Sequence, residues 1–377
     1  MLDRRSFMAT VGAASLGSGL TGTAARAVAP SWAPYARALA IDGAGGLGRW
    51  PGNEDGSLSA DELADARASG LTAMVFTVAP AGRFRFGADG FESAVKAIAR
   101  QEGLIDLHPD DLARVHSHGD LLAAKAAGKL GIVYTFQETS PLGDDIDRVD
   151  VFHGLGVRVV QLTHNKRNLV GDGCMEPGNA GLSAFGRAVV ERLNAKKIIV
   201  DLAHAGDRTM AEGIAASKAS MFISHTGCKA LSDLPRCSSD ANLKAMADKG
   251  GVAGMVWWPY LTRRDQPMAI DLIAHIEHAI QVAGEDHVGL GTDATVSAMP
   301  RTPEFEKENR EYIADMVEDG VFETGRPPDL YLFIPDLNDV RRFEMLAGML
   351  SARGHSDARI EKVLGGNFAR VMKDVWG

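Results

Sequence analysis

Ile198-Ile199-Val200-Asp201-Leu202-Ala203-His204 and, one helical stretch later, Met221-Phe222-Ile223-Ser224-His225 share one construction: a largely apolar run that ends in a histidine. A strand with one face in water alternates apolar and polar residues, whereas a near-continuous run is covered on both faces, as in a parallel sheet flanked by helices. Outward from this pair lie six more runs of the same kind: Ala38–Asp42, Leu71–Ala79, Lys129–Gln137, Val157–His164, Val252–Trp258 and Val288–Asp293. Amphipathic stretches separate most of them, including Phe91–Gln101, Leu121–Ala127, Ala184–Asn194, Arg208–Ala216, Ala241–Lys249 and Leu272–Val282. Strand and helix alternating eight times predicts an α/β fold, a (β/α)8 TIM barrel. A doubly wound open sheet is the alternative, because counting strands does not establish closure. A charged, proline-containing excursion, Arg301 to Pro335, reads as a loop elaboration over the barrel mouth. Leu337–Arg353 and Asp357–Trp376 read as a C-terminal helical appendage.

The 377 residues are 45% hydrophobic and 24% charged, enough apolar content for one large core. Acidic residues exceed basic ones by 49 to 40, a net charge of −9, and no basic stripe suggests nucleic acid or an anionic membrane as partner. At the N-terminus, Arg4-Arg5 precede a weakly hydrophobic Ala/Gly/Ser/Thr stretch, and Ala25-Arg26-Ala27 supplies a small-x-small cleavage site. That order predicts a twin-arginine signal peptide over residues 1–27, a single mature domain over 28–377, and a periplasmic or secreted protein. The stretch carries too many Gly and Thr residues to be a transmembrane anchor. Losing its net +2 leaves the mature chain at −11. Cys174, Cys228 and Cys237 are too few for a disulfide framework; one bridge is open to them, and buried small hydrophobes are the plainer reading.

In a TIM barrel the chemistry gathers where strands end. Here the run ends are polar: Asp42, Gln137-Glu138, His164, His204, His225 and Asp293. Imidazole and carboxylate are ligands that zinc prefers, and a hydrolase needs an open position beside them. Each residue also has a plain reading: a strand-end histidine satisfied by hydrogen bonds, Asp293 as the cap of a following helix, Asp201 in strand–helix packing. His116-Ser117-His118 looks like an H-x-H metal motif but precedes a helix rather than following a strand, which places it away from the mouth. Trp257 and Trp258 suit packing or a substrate wall.

These residues resemble the membrane (renal) dipeptidase family from about Asp42 to Trp376. The segments that carry the resemblance include Gly156–Asn165, Gly181–Gly186, Val200–His204, Ile223–His225, Pro235-Arg236, Val288–Asp293 and Gly365–Arg370. The resemblance implies that His204 and His225 hold one of two zinc ions and that His164 contacts substrate and stabilises the tetrahedral intermediate. It further implies that Arg236 pairs with a substrate carboxylate and that Asp293 stands beside the bridging water. Two departures stand against it. The family carries Asp-x-His-x-Asp at the end of strand one, whereas this chain has Asp42-Gly43-Ala44-Gly45-Gly46. Gln137 occupies the slot of the bridging glutamate, with Glu138 one residue later, where only a bulge would bring it round.

The expected cofactor is therefore one zinc ion at most, on His204 and His225 with Glu138, Gln137 or water completing the set; the alternative is none. Two functions follow. One is a hydrolase of dipeptides or related small amides bearing a free carboxylate, with Asp293 as general base or acid. The other is a catalytically reduced, dipeptidase-like binding or maturation factor in the periplasm. The partner in either case is a small peptide-like molecule, and the resemblance leaves room for a homodimer.

Overall fold

The computed structural model describes residues 31–49, 53, 56–78, 88–323 and 325–377. The expected signal peptide, 1–27, lies outside them. Among the described residues ten strands are formed: β1 (Ile41–Gly46), β2 (Ala73–Thr77), β3 (Leu112–Arg114), β4 (Leu130–Phe136), β5 (Val157–Gln161), β6 (Ile199–Asp201), β7 (Phe222–Thr226), β8 (Val252–Val256), β9 (Val288–Gly291) and β10 (Ala294–Thr295). All pairings are parallel, in the order β10-β1-β2-β4-β5-β6-β7-β8-β9, with β3 attached to β4. β9 and β10 are two pieces of one strand broken at Thr292-Asp293. Its second piece pairs with β1, and the amides of Asp293 and Val296 donate to the carbonyls of Ala44 (2.7 Å) and Gly46 (2.8 Å). The sheet therefore closes on itself, and the open-sheet alternative falls.

Around the barrel run α1 (Ala60–Ser69), α2 (Ala88–Leu107), α3 (His118–Ala127), α4 (Arg148–Gly154), α5 (Ala184–Ala195), α6 (Asp207–Ala216), α7 (Asp240–Asp248) and α8 (Ala269–Ala283). α9 (Pro303–Glu318), α10 (Arg342–Ala352), α11 (Asp357–Glu361) and α12 (Asn367–Trp376) follow. Serine starts several of them: the hydroxyls of Ser59, Ser117, Ser183, Ser239 and Ser356 each accept from an amide of the first turn, which has no partner within the helix. Among the described residues no helix is long and apolar enough to cross a membrane.

The interior layer at the N-terminal end of the barrel joins Ile41, Ala73, Val133, Val159, Ile199, Phe222 and Val252 to Phe368, Val371, Met372 and Val375 of α12. Phe368 is the plug: its ring meets Phe222 edge-on at 4.7 Å. A Cβ on Gly43 or Gly289 would come within 2.6 or 2.4 Å of it, so those two positions stay glycine to admit the ring. The appendage thus seals the end opposite the chemistry.

Three expectations change. β1 does not end at Asp42 but runs on to Gly46. Buried Asp42 instead clasps the closing strand, accepting from the Thr292 amide at 2.8 Å and hydroxyl at 2.5 Å. The excursion after the eighth strand is not simply loop, since it contains the sixteen-residue α9. His116-Ser117-His118 does follow a strand, because β3 precedes it. That strand stops level with Ile132, however, short of the end of β4, and Ser117 caps α3. The motif still lies below the mouth.

Candidate active site

β6 and β7 deliver His204 and His225 to the mouth from neighbouring strands. Their Nε2 atoms face each other at 3.0 Å. The opposite nitrogen of each ring is engaged elsewhere. His204 Nδ1 lies 2.7 Å from Asn165 Oδ1, an oxygen that can only accept, so Nδ1 carries the hydrogen. His225 Nδ1 lies 2.8 Å from Ser224 Oγ, whose own hydrogen goes to Asp201 Oδ2 at 2.5 Å. With both rings neutral, the Nε2 atoms set lone pair against lone pair across 3.0 Å, which a proton on one ring or a metal ion between them relieves. Asp293 from the break between β9 and β10 completes a group whose three donor atoms all lie within 4.8 Å of one another. Two imidazoles and a carboxylate fit one zinc-type divalent ion with a position left open.

The backbone marks the same residues. His204 and Asp293 hold φ of 59° and 52°, left-handed values at non-glycine positions that cost about 1–3 kcal/mol each. Asp293 is fixed by its amide on Ala44 and by the Trp258 indole, which donates to its carbonyl at 2.9 Å. β10 follows it rather than a helix, so it caps nothing. Asp201 is more than packing. Burial pushes its carboxyl up, while hydrogen bonds from Ser224 and Ala203 and the charge of Arg236 draw it back. It ties β6 to β7 and steers His225 through Ser224.

His164, half-buried at the end of β5, stacks on His204 with ring centroids 4.1 Å apart. The loop behind it is tight enough that a Cβ on Gly173 would fall 1.9 Å from the His164 carbonyl oxygen. Arg236, in the loop after β7, is 3% exposed, and its Nε and Nη2 have no hydrogen-bond partner. Those two atoms form the edge of the guanidinium that takes a carboxylate bidentately. Tyr260 lies beneath it, 5.8 Å from ring centre to Cζ.

Gln137 reaches the site, its amide 3.5 Å from Asp293 Oδ1. Glu138 is buried and is not part of the His204–His225–Asp293 group, whereas Gln137 lines the cavity beside Asp293. On that side Ala44, Gly46 and Gln137 border a cavity of about 330 Å³, with Phe76, Trp258 and α9 as further walls. Ala44 and Gly46 offer no side-chain donor, so a second ion has no ligand set here. The three cysteines are unpaired. Asn165 and Ser224, which set the orientation of the two histidines, were not singled out from sequence; each adjoins a histidine that was.

Residues 53–324 match the sequence model of the membrane dipeptidase family, peptidase family M19. Dipeptidase tcpJ of Claviceps purpurea is 25% identical over 328 residues, which cover 85% of this chain and 69% of that one. For the two curated relatives that come next, the matched part spans 62% and 47% of their length. An amidohydrolase structure from Pseudomonas aeruginosa is 32% identical with a TM-score of 0.76, covering 91% of this chain and 98% of that one. A metallopeptidase structure from Rhodobacter sphaeroides, liganded with a phosphinate mimic of L-Ala-D-Ala, shares the fold at 17% identity and TM-score 0.71, covering 90% of this chain and 99% of that one. With the closed barrel, the paired strand-end histidines and Asp293 in place, the chain belongs to the membrane dipeptidase family of metal-dependent hydrolases.

Proposed function

We propose that the protein is an exported hydrolase of small amides that carry a free carboxylate, working with a single zinc ion. The observation that carries this reading is the 3.0 Å approach of two histidine Nε2 atoms whose Nδ1 atoms are both committed, with Asp293 beside them. His204, His225 and Asp293 would hold the ion, which when bound supplies a Lewis acid for the scissile carbonyl and lowers the pKa of water.

The chain's own groups account for the rest. Arg236 binds the substrate carboxylate through Nε and Nη2, where a planar fork matches two oxygens. That anchors the amide across the mouth. The oxygen of Asp293 that does not hold the ion would take the proton of the attacking water and return it to the departing nitrogen. His164, held against His204, donates to the developing oxyanion. The Asp201–Ser224 pair keeps His225 in one tautomer throughout.

A panel of dipeptides and N-acyl amino acids, assayed for amino-acid release before and after chelation and zinc return, tests the reading. Zinc-dependent release from at least one compound is expected, and lost when His204 is replaced by Ala. No release from any compound overturns it. Export rests on Arg4-Arg5 and the segment behind them. Changing both to Lys should hold the precursor in the cytoplasm, and an undiminished periplasmic form would refute that part.

A further inference from the structure

The cavity beside the reacting groups has the wrong chemistry for the free amino end of a dipeptide. We propose that it is an acyl pocket, and that the substrate is an N-acylated amino acid or peptide whose acyl end is apolar and uncharged. This rests on the amide-hydrolase reading above.

Strand order separates the two halves of the mouth. β5, β6 and β7 bring His164, His204, His225 and the Arg236 loop. Across from them, β10, β1, β2 and the end of β4 border the cavity. A substrate whose carboxylate sits on Arg236 and whose amide reaches Asp293 therefore extends its acyl end into that cavity. Its walls are Ala44, Gly46, Phe76, Met299, Phe305 and Phe333, the neutral hydroxyls of Thr77 and Tyr312, and polar groups already committed. Asn309 donates to the Leu330 carbonyl at 2.6 Å, Thr295 to the Ser297 carbonyl at 3.4 Å, and Gln137 to Asp293. Among the described lining residues Asp293 is the only charged one, and it stands with the two histidines. An ammonium in this space would lose water without gaining a counter-charge, whereas a hydrocarbon loses nothing. The volume, about 330 Å³, is about twice that of a dry 150 Å³ cavity that takes benzene. In the reaction water adds to the acyl carbon and the C–N bond breaks. The nitrogen leaves as a free amine with the proton, and the acyl group leaves as a carboxylate.

The test compares propanoyl-L-alanine with glycyl-L-alanine, which match atom for atom except for CH3 against NH3⁺. Acetyl-, butanoyl-, hexanoyl-, octanoyl-, decanoyl- and dodecanoyl-L-alanine complete the set. Calorimetric affinity and kcat/KM for alanine release are read on the purified metal-bound protein. Propanoyl-alanine should exceed glycyl-alanine at least tenfold, and each added methylene should gain about fourfold, equivalent to about 0.8 kcal/mol. The gain should stop at about ten heavy atoms, taking about 30 Å³ for each water-sized group. Gly46→Leu should flatten the series. Its Cβ would meet nothing closer than 3.6 Å, so the backbone accepts the change. Met299→Asp places a carboxylate in the pocket and should shift preference toward glycyl-alanine, which keeps the test open if the leucine variant misfolds. Equal or better use of glycyl-alanine with a flat series overturns the acyl pocket while the hydrolase reading stands, provided that binding still depends on Arg236. Affinities indifferent to Arg236→Met, with no amide cleaved, would overturn both.

Discussion

Replacing Arg236 by Met should move stability and binding in opposite directions. The guanidinium is buried, with Nε and Nη2 lacking a hydrogen-bond partner, and its compensation is the Tyr260 ring at 5.8 Å and the through-space attraction of the Asp201 carboxyl. A buried donor left unpaired costs about 1–3 kcal/mol, so two cost at least about 2 kcal/mol. An aromatic face returns about 0.5–1 kcal/mol. Met fills similar volume without a charge or a donor, so the unliganded protein should gain about 1 kcal/mol, a rise of about 1–2 °C in melting temperature. Binding should go the other way. Losing one partner of a desolvated charge pair costs about 2–4 kcal/mol, or about 30- to 900-fold in affinity. Thermal melts of the apo protein and calorimetry with N-acetyl-L-alanine give both numbers. A variant that melts lower and binds equally well would make Arg236 a structural cation and refute the carboxylate site.

Three further outcomes follow from the same geometry. Ser224→Ala breaks the link from Asp201 to His225 and should weaken zinc affinity about 10- to 100-fold, measured by competition with a chelator; unchanged affinity would mean that the link does not orient the ring. Ala44→His, Gly46→Asp and Gln137→Glu together should raise bound zinc toward two per chain, because a Cβ at residue 46 makes only ordinary contacts. By contrast, Gly45→Ala sets a Cβ 2.9 Å from the Asp42 carboxylate and should cost about 1–3 kcal/mol in denaturant melts. Burial pushes the Cys174 thiol up to about 11 and Cys237 to about 12, so both stay protonated at neutral pH. Iodoacetamide at pH 8 should label neither until the protein unfolds; rapid labelling of the native form would contradict this.

The eight main strands were readable because a buried parallel strand writes a near-continuous apolar run, and such runs survive at β1, β2 and β4 to β9. The three-residue β3 and two-residue β10 are too short to make a pattern, and their existence follows from pairing with β4 and β1 rather than from their own residues. Asp42 was misplaced because its side chain faces a strand 250 residues away, a contact without local trace. α9 was hidden by Pro303 and a high charge, although Pro in the first helical turn is compatible with a helix start. At the site, the strand-end histidines were visible as residues, whereas the roles of Asn165 and Ser224 depend on which ring nitrogen each one meets.

Metal content per chain tests the central claim most directly. Protein purified without a metal-binding tag, dialysed and analysed for its elements, should contain one zinc ion per chain, lost when His204 and His225 are both replaced by Ala. Two ions per chain would mean that residues other than Ala44, Gly46 and Gln137 build a second site. A chain that takes up no zinc even when it is supplied would contradict the facing Nε2 pair as a metal seat.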